Sequence, residues 1–125
     1  MMRSSPALRW LPTLLWMAVI FAGSSWPGKD IPGPVSQVSV GLHIMEYAIL
    51  YLMAARTFAP ARSSVSRRGL VLTALVFCIL YSLSDEIHQA FVPGRNADGW
   101  DMAADAAGAI IGMAGRYWWR MVNLV

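Results

Sequence analysis

Cysteine is almost missing from this 125-residue chain: Cys78 is the only one, and it lies inside an apolar run. No disulfide can form within the chain, and no cysteine-rich zinc pattern is possible. A small buried apolar role is the plain reading of Cys78. Charge is scarce as well. Only 14% of the residues are charged, against roughly a quarter in an average soluble domain. Long period-two alternation is absent, which argues against a β-barrel. There is no internal repeat, no low-complexity tract, no phosphate-binding glycine loop and no nucleic-acid signature. What the chain has in abundance is apolar surface: 57% of residues are hydrophobic. The length allows one domain. A soluble fold of that size could not hide so much apolar surface, so lipid is the expected solvent.

Four apolar runs carry this surface: Leu8 to Ser25, Val40 to Ala59, Gly69 to Phe91, and Gly99 to Trp118 or Trp119. Each is close to the ~20 residues that a spanning helix needs. Lipid forces backbone hydrogen bonds to close within a segment, which selects helices. The expected fold class is all-α, an integral membrane four-helix bundle. It forms one domain over residues 1–125, with helices near 8–25, 40–59, 69–91 and 99–119. The second, third and fourth runs carry charge near one end and give weaker hydropathy signals than the first. A cleaved signal peptide is the competing reading of the first run, from Arg3 and Arg9 before it and Ala22, Gly23 and Ser24 at its end. Pro12 and the three later runs favour a retained helix. Pro12 falls in the first turns, where a missing N–H is tolerated. Pro27, Gly28, Pro32, Gly33 and Pro34 break the chain after the first run, Pro60 to Arg68 forms a Ser/Arg loop, and Pro93-Gly94 turns it again.

The positive charges orient the bundle. Arg3, Arg9, Arg56, Arg62, Arg67, Arg68, Arg116 and Arg120 lie at the N-terminus, the second-to-third loop and the C-terminal end, while Lys29 and Arg95 occupy the other two loops. The positive-inside rule places both termini in the cytoplasm and makes the protein a multi-pass protein of the cell membrane. Trp10, Trp26, Trp100, Trp118 and Trp119 fall near expected helix ends, where interfacial aromatics belong.

Every acidic residue then falls on the outer side: Asp30, Glu46, Asp85, Glu86, Asp98, Asp101 and Asp105. His43 and His88 join them. Helical spacing puts His43, Glu46 and Tyr47 on one face of the second helix, and Tyr81, Asp85, His88 and Gln89 on one face of the third. Glu86 is turned about 100° from Asp85 and does not easily share a small site with it. On the fourth helix Asp101, Asp105, Gly108 and Gly112 form a stripe. Ala104, Gly108 and Gly112 have the small-xxx-small spacing of close helix contact, and packing is their plain role. Charged groups in a membrane helix are costly, and a functional site is the default hypothesis for them. The bland rival is a solvated interface, and for Asp30 and Asp98 taken singly it is preferred. The catalytic candidates are His43, Glu46, Asp85, His88 and Asp101. The candidates for holding a substrate are Gln89, Arg95, Asp105 and Ser25.

The stretch Ser84-Asp85-Glu86-Ile87-His88-Gln89-Ala90-Phe91-Val92-Pro93-Gly94-Arg95, followed by Asp98 and Asp101, resembles the signature of the VanZ-like family. So do His43-x-x-Glu46-Tyr47-x-x-Leu50, Ser24-Ser25 before Pro27, and Asp101-x3-Asp105-x2-Gly108-x3-Gly112. Two positions depart from the family's common pattern: Val40 stands where a Lys is frequent, and Asp105 where an Asn is frequent. The first removes a cationic partner and the second adds a carboxylate. The resemblance implies a four-helix membrane protein. The namesake's association with low-level teicoplanin resistance comes with the resemblance, and a reaction does not.

Three functional readings are compatible with the residues. The first is a membrane enzyme that acts on an envelope lipid or lipid-linked glycan. His43 or His88 would carry the proton, and Arg95 would hold an anionic head group. The second is a non-catalytic binder of an outer-leaflet lipid, a cell-wall precursor or a glycopeptide antibiotic. The third, a transporter or scramblase, has the weakest support, because Ile49 to Ala54, Leu70 to Leu80 and Ala109 to Met113 are apolar. No cofactor is expected. A divalent metal is the alternative, since His43, Glu46, Asp85, Glu86, His88, Asp101 and Asp105 offer suitable ligands, although no H-E-x-x-H motif is present. The expected partner is a membrane lipid or a lipid-linked envelope molecule, with no nucleic acid. Oligomeric state is not legible.

Overall fold

Turn and cap residues divide the chain into four helices: α1 (Pro6–Ser24), α2 (Val35–Phe58), α3 (Arg67–Gln89) and α4 (Gly99–Val122). The structure is a computed structural model that describes residues 6–27, 35–59 and 65–123. No strand occurs among the described residues. Arg3, Gly28, Lys29, Asp30, Pro32, Gly33, Pro34, Pro60 and Arg62 lie outside them.

Local chemistry explains the helix ends. Ser66 caps α3 by accepting a hydrogen bond from the Gly69 N–H at 3.1 Å, and Asp98 caps α4 by accepting one from the Trp100 N–H at 3.0 Å. At its C-terminus α3 stops at Gln89 rather than at Phe91. Ala90, Phe91 and Val92 donate back to the carbonyls of Glu86, His88 and Gln89 and tighten the last turn. The chain then reverses through Val92-Pro93-Gly94-Arg95, closed by Arg95 N–H to Val92 C=O at 3.1 Å. Gly94 has φ 75°, which a turn with Pro at its second position and Gly at its third requires. Pro12 sits inside α1 and removes one bond of its ladder.

Helices consecutive in the chain run antiparallel, whereas α2 and α4 lie side by side in parallel, with Gly108 against Ile44 and Gly112 against Ala48. α2 is central and packs on all three others, while α1 touches α2 and α3 but not α4. The core holds Ile20, Tyr47, Leu50, Tyr51, Ala54, Ala74, Cys78 and Ala109. Close approach of α2 and α4 depends on glycine. A Cβ at position 108 would collide with the Ile44 carbonyl, and one at position 112 would stand 2.6 Å from the Ala48 oxygen. Trp10 turns partly inward and meets Phe58 and Phe77 edge-on at 5.3 and 6.2 Å. Trp26, Trp100, Trp118 and Trp119 are exposed.

Two polar ties join α1 to the rest of the bundle along its length: Trp16 Nε1 to the Glu46 carbonyl at 2.9 Å and Tyr81 Oη to the Met17 carbonyl at 2.6 Å. At the Arg-rich end, Arg9 donates to the carbonyls of Arg56 and Ala59, both at 3.1 Å, and so closes the C-terminus of α2. Thr13 and Thr57 form a buried hydroxyl pair at 2.9 Å just below.

Two helices, α1 and α3, are long and apolar enough to cross a membrane, and α3 is the more apolar of the two, contrary to the weaker signal expected of the third run. Only 17% and 22% of those spans are buried within the bundle, so most of their apolar surface faces outward. α2 carries His43, Glu46 and Arg56, and α4 carries Asp101, Asp105, Arg116 and Arg120. These groups reduce their apolarity.

Candidate functional site

The end opposite the arginines gathers polar side chains from all four helices, in two groups. The first joins α1 to α3. Ser24 Oγ donates to Asp85 Oδ2 at 2.8 Å, and Gln89 Nε2 reaches the same oxygen at 3.0 Å and the serine oxygen at 3.4 Å. All three residues are buried. One turn outward, Ser25 Oγ lies 2.9 Å from His88 Nε2, and the imidazole stacks on Phe21 at 4.3 Å. The i, i+4 spacing of Asp85 and Gln89, with His88 beside Gln89, presents these groups to α1 together.

The second group joins α2, α3 and α4. His43 Nδ1 lies 2.7 Å from Asp105 Oδ1, and Ser82 Oγ donates to Asp105 Oδ2 at 2.6 Å. Both carboxylate oxygens of Asp105 are therefore occupied, and the imidazole ring is fixed. His43 Nε2 points the other way, 3.7 Å from Asp101 Oδ2, which is too long for a good hydrogen bond. His43 is 6% exposed and Asp105 2%, so water competes little with this pair.

Glu46 and Tyr47 lie between the groups. The Glu46 carboxylate is half-buried and within electrostatic range of His43, Asp85, Asp105 and Arg95. The Tyr47 hydroxyl is within range of both Asp85 and Asp105. Among the described residues, three buried polar atoms here lack hydrogen-bond partners: Tyr47 Oη, Asp85 Oδ1 and Gln89 Oε1. Such orphans are rare in native interiors and call for water or a ligand.

The expected single cluster is thus resolved into two. His43, Asp101 and Asp105 come together. Asp85, Gln89, His88 and Ser25 come together on the α1 side. Arg95 sits half-buried on the adjoining turn, within electrostatic range of Glu46 and Asp101. Glu86 faces elsewhere, as its helical position requires, and its Oε1 accepts from the Asp98 N–H and anchors the turn before α4. No Ser-His-carboxylate row forms among the described residues: Ser24 binds Asp85 directly, and His88 is paired with Ser25 alone. Ser82 escaped the sequence reading, and Ser24 was read only as a helix end. The signal for Ser82 was its position three residues before Asp85, on a face that already carried polar groups. Among the described residues no three His, Cys, Asp or Glu side chains are arranged to hold a metal ion.

A model of the VanZ/LLP1 family matches residues 9–120. The chain belongs to the VanZ/LLP1 family. The match runs through all four helices and includes every member of both polar groups. No curated protein and no solved structure matches the chain. The family's link to membranes, together with the outward apolar faces of α1 and α3, indicates membrane association. Within this VanZ/LLP1 chain, the signature-like block from Ser84 to Arg95 is the end of α3 and its turn. It supplies Asp85 and Gln89 to one side, Glu86 to the next helix, and Arg95 to the rim.

Proposed function

We propose that this VanZ/LLP1 protein crosses the membrane with all four helices and uses His43 for proton transfer on an envelope lipid or lipid-linked glycan at the extracytoplasmic face. The observation that carries this reading is the buried His43–Asp105–Ser82 arrangement. A carboxylate held by a serine orients the imidazole through Nδ1, and Nε2 is left to accept or deliver a proton. Asp101 lies 3.7 Å from that nitrogen, Glu46 acts electrostatically on the ring, and the orphaned Tyr47 hydroxyl offers a donor to a bound oxygen. Arg95, on the rim, matches a phosphate-bearing head group.

Several features support the spanning reading. Large apolar side chains such as Leu15, Val19, Leu72, Val76, Leu80, Ile110 and Ile111 are exposed around the bundle, a surface that lipid would cover. Arg9, Arg56, Arg67, Arg68, Arg116 and Arg120 share one end, which the positive-inside rule assigns to the cytoplasm. A reporter fused to the C-terminus and active only outside the cell would overturn this orientation.

A second reading, a non-catalytic binder of an outer-leaflet lipid, a cell-wall precursor or a glycopeptide antibiotic, is favoured by one observation. Among the described residues no nucleophile is aligned with an oriented base. The experiment that separates the readings is incubation of purified protein with a lipid extract of its own host's envelope, followed by mass spectrometry. An enzyme changes the mass of a lipid, and His43→Gln abolishes the change in a protein that still folds. Retained turnover in a folded His43→Gln variant removes His43 from the chemistry. Enrichment of a lipid with no change of mass selects the binder.

A further inference from the structure

The Arg-rich end contains a groove that the proposed chemistry does not use. It has a volume of about 470 Å³ and opens between α3 and α4, with Arg67, Arg116 and Arg120 on its walls. A small cavity of about 40 Å³ adjoins it and shares these arginines and Tyr51. Arg116 and Arg120 are four apart on one helical face, and their charges lie within electrostatic range of each other. No aspartate or glutamate occurs in the described part of that end, so the three guanidinium groups have no acidic partner there. The remaining wall is apolar and includes Val71, Met113 and Met121.

A second observation comes from Tyr51. It lines both cavities and is fully buried, and its hydroxyl has no hydrogen-bond partner among the described residues. Arg116 and Arg120 act electrostatically on that hydroxyl. A buried unpartnered donor beside clustered guanidinium groups is a site for an anion, and guanidinium pairs suit phosphate in particular. The N-terminus of α3 at Arg67 adds its positive end. The apolar wall and the volume exceed what inorganic phosphate would fill.

We propose that this groove binds one anionic phospholipid, with the phosphate between Arg67, Arg116 and Arg120, the Tyr51 hydroxyl donating to it, and an acyl chain along Val71, Met113 and Met121. The proposal rests on the membrane-spanning reading, because a lipid reaches the groove from the cytoplasmic leaflet.

The test is native mass spectrometry of the full chain in detergent, titrated with phosphatidylglycerol or phosphatidylcholine of identical acyl chains. The wild-type protein is expected to bind phosphatidylglycerol at least tenfold more tightly. Arg116→Gln/Arg120→Gln should lose this preference, and Tyr51→Phe should weaken phosphatidylglycerol binding several-fold. Arg68→Gln, an exposed charge outside the groove, should leave it unchanged. If the double variant does not fold, the Arg120→Gln and Tyr51→Phe single variants decide by the same measure. An equal loss in Arg68→Gln, no preference in the wild type, or inorganic phosphate binding as tightly as the lipid overturns the proposal. Carbonate extraction of membranes separates the two levels. A protein that resists extraction but shows no preference lacks only the groove's lipid, whereas one that is released loses the spanning reading itself.

Discussion

His43 Nδ1 and Asp105 Oδ1 lie 2.7 Å apart between α2 and α4, both residues nearly excluded from solvent. The pair sits one turn from Gly108, where the two helix backbones touch. The hydrogen bond and the close packing therefore depend on one another. Without the glycine the helices would part, and the pair would open.

Breaking this pair should be costly. Asp105→Ala leaves His43 and Ser82 without their acceptor and should destabilise the protein by about 3 kcal/mol, the upper scale of leaving buried hydrogen-bonding groups unpaired. Asp105→Asn keeps an acceptor oxygen in place and should cost about 1 kcal/mol. Thermal unfolding of the detergent-solubilised protein measures both. Equal losses would mean that the acceptor at position 105 contributes nothing.

The two adjacent serines should differ. Ser24→Ala deprives buried Asp85 of a donor and should lower stability by about 1–3 kcal/mol, whereas Ser25→Ala acts at a partly exposed bond and should cost about 0.5–1.5 kcal/mol. The same unfolding experiment checks the order, and a larger loss for Ser25→Ala would contradict it.

Glycines on α4 should separate by what faces them. Gly108→Ala forces a Cβ into the α2 backbone and should destabilise by about 1–3 kcal/mol, the usual cost of overpacking. Gly115 is exposed and a Cβ there would meet nothing within 4 Å, so Gly115→Ala should be neutral or should stabilise by up to about 1 kcal/mol through helix propensity. Comparing the two melting curves in one detergent tests this, and equal effects would show that the close contact is not restrictive.

Glu86 predicts a local effect. Glu86→Ala removes the acceptor of the Asp98 N–H and frees the turn before α4. Hydrogen exchange should accelerate at the Asp98 amide and through 95–99, with little change in the central part of α2. Unchanged protection at Asp98 would show that the turn is held by Pro93-Gly94 and the Asp98 cap alone.

Much of the architecture was legible in the chain itself. Four apolar runs with Pro and Gly between them read directly as helices, because backbone groups leave few alternatives where apolar side chains dominate. The polar positions also read correctly by face at the level of one helix. Glu86 was turned away from Asp85 by the 100° of helical rotation, and it binds elsewhere. Gly108 and Gly112 read as contact residues because small residues four apart permit close approach.

Sequence by itself thus determined the all-α class, the family and the segregation of acids and histidines from every arginine but Arg95, since these follow from composition, period and motif order. It did not determine which helix faces which. Only the tertiary structure divided the polar end into a Ser24–Asp85–Gln89 group and a His43–Asp105–Ser82 group, and gave each histidine a different partner. It also brought Arg67, Arg116, Arg120 and Tyr51 to one groove. The physical reason is that spacing along a helix sets a residue's direction on its own axis, while the rotation of each helix against its neighbours is set by packing. Here that rotation follows from the contact of Gly108 and Gly112 with α2, and from the hydrogen bonds of Trp16 and Tyr81 across α1.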